Sequence, residues 1–114
     1  MIFDFDGTGL VCLAPDGPRR LKPAAAHQLL LTLAKERVYD AGEGVAEGEQ
    51  GWVEVADVCR WLDANENRVN VDVFRLRKQL AEIGVVGAAR LVERRPLVRR
   101  LRIGVTAARL RVPA

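Results

Sequence analysis

Residues 69–80 read VNVDVFRLRKQL, with apolar side chains at Val69, Val73, Leu76 and Leu80. On a helix advancing about 100° per residue these fall on one face, and Ile83 extends it. Asn67 is placed to cap the start of this helix and Gly84 to end it. The opposite side displays Arg68, Val71, Arg75 and Lys78, while Arg77 lies nearer the flank. A stripe of that kind suits the major groove of DNA. Arginine can bond guanine in bidentate fashion, and Val71 can touch a thymine methyl. At the flank, Arg77 is better placed for a phosphate contact.

Working outward, the preceding WVEVADVCRWLDANE (52–66) places Val55, Val58, Cys59 and Leu62 at i, i+3, i+4 and i+7, which predicts a short amphipathic helix. Before it, YDAGEGVAEGEQG (39–51) is acidic and glycine-rich, and predicts an exposed, mobile loop. KPAAAHQLLLTLAKERV (22–38) predicts another helix, with Pro23 at a first helical position and a stripe of Ala26, Leu29, Leu30 and Leu33. His27 is expected at the helix surface or boundary. In the first 21 residues Phe3 and Phe5 alternate with Asp4 and Asp6, which predicts a half-buried strand. Turns are expected at GTG (7–9) and PDG (15–17), on either side of a second strand, LVCLA. Downstream, ARLVERRPLVRRLRIGV (89–105) predicts a β-hairpin around RRPLVRR, which carries Arg95, Arg99 and Arg100. The expected fold class is α+β, as one domain over 1–114. It has N-terminal antiparallel strands (1–21), a helical core (23–83) containing the acidic loop 39–51, and a C-terminal hairpin (89–105).

The chain has 114 residues, 49% of them hydrophobic, enough for a core without staples. No apolar run approaches the roughly 20 residues of a membrane span, and no signal peptide is evident at the N-terminus. A cytoplasmic location without membrane contact is the expectation. Serine is absent and His27 is the single histidine, which excludes serine–histidine catalysis. Cys12 and Cys59 are distant and read as buried free thiols, and zinc or another metal is not expected. No cofactor is implied. The net charge of +3 hides a split: residues 1–66 carry 6 Lys+Arg against 12 Asp+Glu, and residues 67–114 carry 12 against 3. A basic C-terminal half points to a polyanionic partner.

DFDGT (4–8) resembles the first motif of the haloacid-dehalogenase phosphatases. That resemblance implies Asp4 as nucleophile, Asp6 as acid and base, and a bound Mg²⁺. The family also needs a longer strand before the nucleophile and a later acidic motif. Only Met1 to Phe3 precede Asp4, and the chain has no Asp-Asp or Gly-Asp pair. The phosphatase reading is therefore a minor alternative to a non-enzyme, and Asp4 and Asp6 are expected to face solvent on an edge strand.

The order strands, helix, short helix, long basic helix, hairpin resembles the winged helix-turn-helix effector domain of OmpR/PhoB-type response regulators. LKPAAAHQLLLTL is similar to that family's Leu-Thr-Pro-x-Glu helix start, and VNVDVFRLRKQL to its Val-Asp-Val-His-Ile-x-x-Leu-Arg-Lys-x-Leu. The resemblance implies transcriptional regulation through double-stranded DNA, with helix 67–83 in the major groove and a basic wing. Contacts would come from Arg68, Val71, Arg75, Arg77, Lys78, Arg95, Arg99 and Arg100. Further partners compatible with it are a homodimer mate and a regulatory protein or fused signalling domain. The wing departs from the family's Arg-Gly-x-Gly-Tyr, and Phe74 stands where the family often has a basic or polar residue. Phe74, Val71, Leu97 and Val98 therefore support an alternative, a winged helix that binds protein.

Overall fold

The structure, a computed structural model, describes residues 1–6 and 9–113. The alternation of Phe3 and Phe5 with aspartates forms strand β1 (Ile2–Asp6), whose two phenylalanines are buried. It pairs antiparallel with β2 (Gly9–Ala14), Phe3 opposite Cys12 and Phe5 opposite Leu10. After the Pro15–Asp16 turn, β3 (Gly17–Arg20) continues the antiparallel meander. The expected GTG turn includes Gly7 and Thr8, which lie outside the described residues.

The far end of the chain returns to this sheet. Strand β7 (Leu110–Arg111) pairs parallel with β1, giving the order β3-β2-β1-β7. Strand β1 is thus an inner strand, which corrects the expectation that Asp4 and Asp6 sit on an edge. A two-residue strand has too little length to show a period-two pattern.

Helix α1 (Ala26–Gly42) starts later than the expected Pro23 and extends further than expected, taking in Tyr39 to Gly42. Its first turn has no side-chain cap; the backbone N–H groups of His27 and Gln28 bond instead to the carbonyls of Ala24 and Ala25. Leu29, Leu30, Leu33 and Ala34 are buried along it. So is Arg37, only 2% exposed, whose Nη1 donates to the Ile103 carbonyl at 2.9 Å. His27 is also buried, at 7% exposure, with Nε2 2.9 Å from Gln79 Oε1. The expectation of a surface or boundary histidine is corrected, because the glutamine of a neighbouring helix gives the ring a polar partner.

Strand β4 (Val53–Glu54) leads into helix α2 (Val55–Trp61), which buries Val55 and Val58. Helix α3 (Glu66–Glu82) follows after a short turn and buries Val69, Val73, Leu76 and Leu80. It is capped by Asn65, whose side chain accepts from the Arg68 N–H at 2.8 Å, rather than by the expected Asn67. Gly84 ends it with φ +83°, a left-handed conformation that costs glycine nothing. The hairpin of β5 (Val92–Arg95) and β6 (Arg100–Ile103) then forms where expected. Strand β4 joins it, giving a second sheet of order β4-β6-β5 with Val53 opposite Leu101 and Val92 opposite Ile103. Among the described residues the fold is therefore α+β, three α-helices with two sheets, and α1 packs on both α3 and β6.

The corrected cap has a direct test. Asn65→Ala should lower the unfolding free energy by about 1 kcal/mol, a normal cap loss, while Asn67→Ala should leave it unchanged or slightly higher. Urea denaturation of the two variants checks this.

Candidate nucleic-acid interface

Because Val69, Val73, Leu76 and Leu80 turn one face of α3 inward, the phase of the helix turns Asn67, Asn70, Phe74, Arg75 and Lys78 outward. Phe74 stands near the middle of this face and is 67% exposed, with Val71 half-buried beside it. Among the described residues Arg75 and Lys78 have no hydrogen-bond or ion-pair partner and are free to meet a ligand. Arg68 is exposed too, but its Nε lies 3.5 Å from the carboxylate of Asp72, a buried residue one turn on. That pairing offsets the cost of taking an acidic side chain out of water.

Arg77 is placed differently. It is half-buried, and its Nη2 donates to the Val92 carbonyl at 2.8 Å, joining α3 to β5. Its guanidinium belongs to this joint more than to the outward stripe.

The hairpin arginines all have partners. Arg95 donates to Glu49 and to the Gly48 carbonyl, and its guanidinium lies 4.2 Å from the Trp52 ring centre. Arg99 pairs with Glu66 at the start of α3, and Arg100 lies 3.7 Å from Glu54. Two further arginines that sequence reasoning did not single out complete the set. Arg94 donates to Asn70 Oδ1 at 2.9 Å. Arg102 bonds Glu93 and the carbonyls of Glu47 and Gln50, and also lies over Trp52. The sequence signal for them was only their density in the hairpin, since their partners come from remote segments.

These bonds also correct the expectation of a mobile acidic loop. Residues 43–51 are tied down by Arg95 and Arg102 from the hairpin. They are tied as well by the Gly51 N–H to Asp40 bond and by Gln50 Nε2 to the Val45 carbonyl. A 3-10 turn at Glu47–Glu49 lies within the segment. Gly51 must be glycine here: its φ is +77°, and an added Cβ would stand 2.8 Å from Arg37 Cβ.

Elsewhere, Cys12 is buried and free, and burial pushes its thiol up to about 11, which leaves it inert near neutral pH. Cys59 is free and only half-buried. Asp4 is half-buried, and Asp6 lies 3.5 Å from Arg20. Among the described residues no group of three or more His, Cys, Asp or Glu side chains gathers at a metal-binding spacing. No helix there is long and apolar enough to cross a membrane. Comparison with known proteins finds no matching family model, no matching curated protein and no matching solved structure.

The Arg95 contact makes the loop anchor sensitive to acid. The hydrogen bond from Arg95, and then its charge, hold the Glu49 carboxyl below the usual glutamate value. A carboxyl with a depressed folded pKa stabilises the anchored state above its unfolded pKa and loses that effect as pH falls through the folded value. Trp52 fluorescence, read in a Trp61→Phe background, should therefore stay constant through mildly acidic pH. It should change only below the range where free glutamates titrate. Glu49→Gln should abolish that transition.

Proposed function

We propose that this chain is a winged helix-turn-helix domain of the OmpR/PhoB type that binds double-stranded DNA and regulates transcription. The observation that carries the reading is the outward face of α3, where Arg75 and Lys78 are unpartnered among the described residues around an exposed Phe74. The order of elements supports it: α2 and α3 are joined by a short turn, and a basic hairpin follows α3 and pairs with β4. In this reading α3 enters the major groove. Arg75 reads guanine with two hydrogen bonds, Val71 and Phe74 meet thymine methyl groups, and Lys78 and Arg68 meet phosphates. Arg99 and Arg100 reach the backbone from the hairpin by exchanging exposed carboxylate partners for phosphate. Arg77 and Arg95 act mainly as fasteners that hold the hairpin in place.

Exposed apolar groups favour a second reading, a protein-binding winged helix. Leu97 at the hairpin tip is 100% exposed, and Val98 and Phe74 are exposed as well. Salt-dependent gel shifts on selected and scrambled duplexes separate the two. For a DNA-binding domain, log K should fall linearly with log salt. Arg75→Ala should cost about 1–3 kcal/mol on the selected duplex and much less on the scrambled one. Arg75→Lys should rescue poorly, since an ammonium lacks the planar fork. Equal losses on both duplexes would make Arg75 a phosphate contact, and no binding at low salt would favour the protein partner.

A further inference from the structure

The tip end of the β5–β6 hairpin meets the start of α3 around a pocket of about 160 Å³. Arg94, Arg95, Arg99 and Arg100 line it, and Glu66 is the acidic residue among its lining side chains. Two of these arginines reach across to α3. Arg94 bonds Asn70 and Arg99 pairs with Glu66, residues one helical turn apart on the same face. Arg95 and Arg100 take their carboxylates from outside the pocket, at Glu49 and Glu54. The lining holds four guanidinium groups against one carboxylate, and with Glu49 and Glu54 counted the excess is a single positive charge, left on Arg94.

Size narrows the ligand. Pockets for drug-sized organic molecules run to about 300–1,000 Å³, and this one is well short of that. A small oxyanion suits the space. Charge and geometry narrow it further: phosphate carries up to two negative charges and several acceptor oxygens, which match guanidinium forks better than one carboxylate does. Glu66 can yield its place, because the Arg99 and Glu66 side chains are 65% and 48% exposed and exposed ion pairs are weak. The backbone at Arg99 points the same way. Its φ of +52° is a left-handed conformation that glycine adopts without cost and arginine does not. An arginine held in such a position is a candidate for a ligand contact.

We propose that this pocket is a phosphate-binding site, in which Arg94 and Arg99 clamp the phosphate group and Glu66 is the built-in carboxylate it displaces. The inference is argued from the pocket and deepens the duplex-DNA reading, which already gives Arg99 a backbone phosphate. A free anion and a nucleic-acid backbone share the chemistry.

The test follows the arginine Nε–H signals by NMR while inorganic phosphate is added, against sodium chloride at matched ionic strength, and then while a short duplex is added. Saturable shifts at Arg94 and Arg99 are expected with phosphate and not with chloride. Glu66→Gln should tighten binding by roughly two- to five-fold, the equivalent of removing one exposed competing ion pair. Arg99→Gly, which suits the local backbone, should keep the melting transition and lose the anion; Arg20→Ala, on β3, should change neither. Shifts at Arg94 and Arg99 with inorganic phosphate but no duplex binding would keep the site as one for a small anion and remove the DNA reading. Duplex binding with these two signals unmoved by either ligand would keep the DNA reading and remove the site. The proposal is overturned if neither ligand moves them, or if Glu66→Gln fails to tighten binding.

Discussion

The outward stripe of α3 and the hairpin bonded to it take their position from the inner face of that helix. Val69, Val73, Leu76 and Leu80 are almost completely buried, and α1 packs against the helix that carries them. Four buried apolar anchors spaced over three turns leave the helix no rotational freedom. Slipping it by one residue would swing this set about 100° away from α1. That constraint sets which side chains face outward. It also fixes where Glu66, Asn70 and Arg77 stand to receive or extend bonds to the hairpin.

Arginine does two kinds of work in this molecule. Arg37, Arg77, Arg95 and Arg102 bond backbone carbonyls on other segments, and Arg95 and Arg102 add contacts with the Trp52 ring. A planar fork of donors suits this use, since one side chain can serve a carbonyl, a carboxylate and an aromatic face together. Arg75, on the outward face of α3, has no partner of its own among the described residues. A high count of basic residues in the C-terminal half thus overstates the charge available to a ligand, because much of it is engaged within the chain.

Much of the architecture was legible in the sequence. The buried face of α3 followed from spacing, and the alternation at Phe3 and Phe5 gave β1. The turn-rich arginine segment gave the hairpin. What was missed depends on approach between remote segments. Asn65 and Asn67 are chemically equivalent caps, and only the geometry of the turn after α2 selects Asn65. The acidic stretch looked mobile because its own residues offer little to bury, while its anchors sit some fifty residues away in the hairpin. His27 looked like a surface residue because its partner, Gln79, belongs to α3. For the candidate site, the outward stripe was readable from helical phase. The division of arginines into fasteners and free cations was not, because it depends on which carbonyls and carboxylates come within reach.

The pairing of β1 with β7 has a consequence for how the chain assembles during synthesis. Phe3 and Leu110 are register partners, so the chain must be made as far as Leu110 before this side of β1 can be covered. Closing so long a loop is entropically slow. Until then β1 presents an open row of backbone donors and acceptors beside two buried phenylalanines, the kind of edge on which strands from other chains add. Strand β7, only two residues long, is thus the last piece to close the first sheet, and the interval before it arrives is when a nascent chain is most exposed to aggregation.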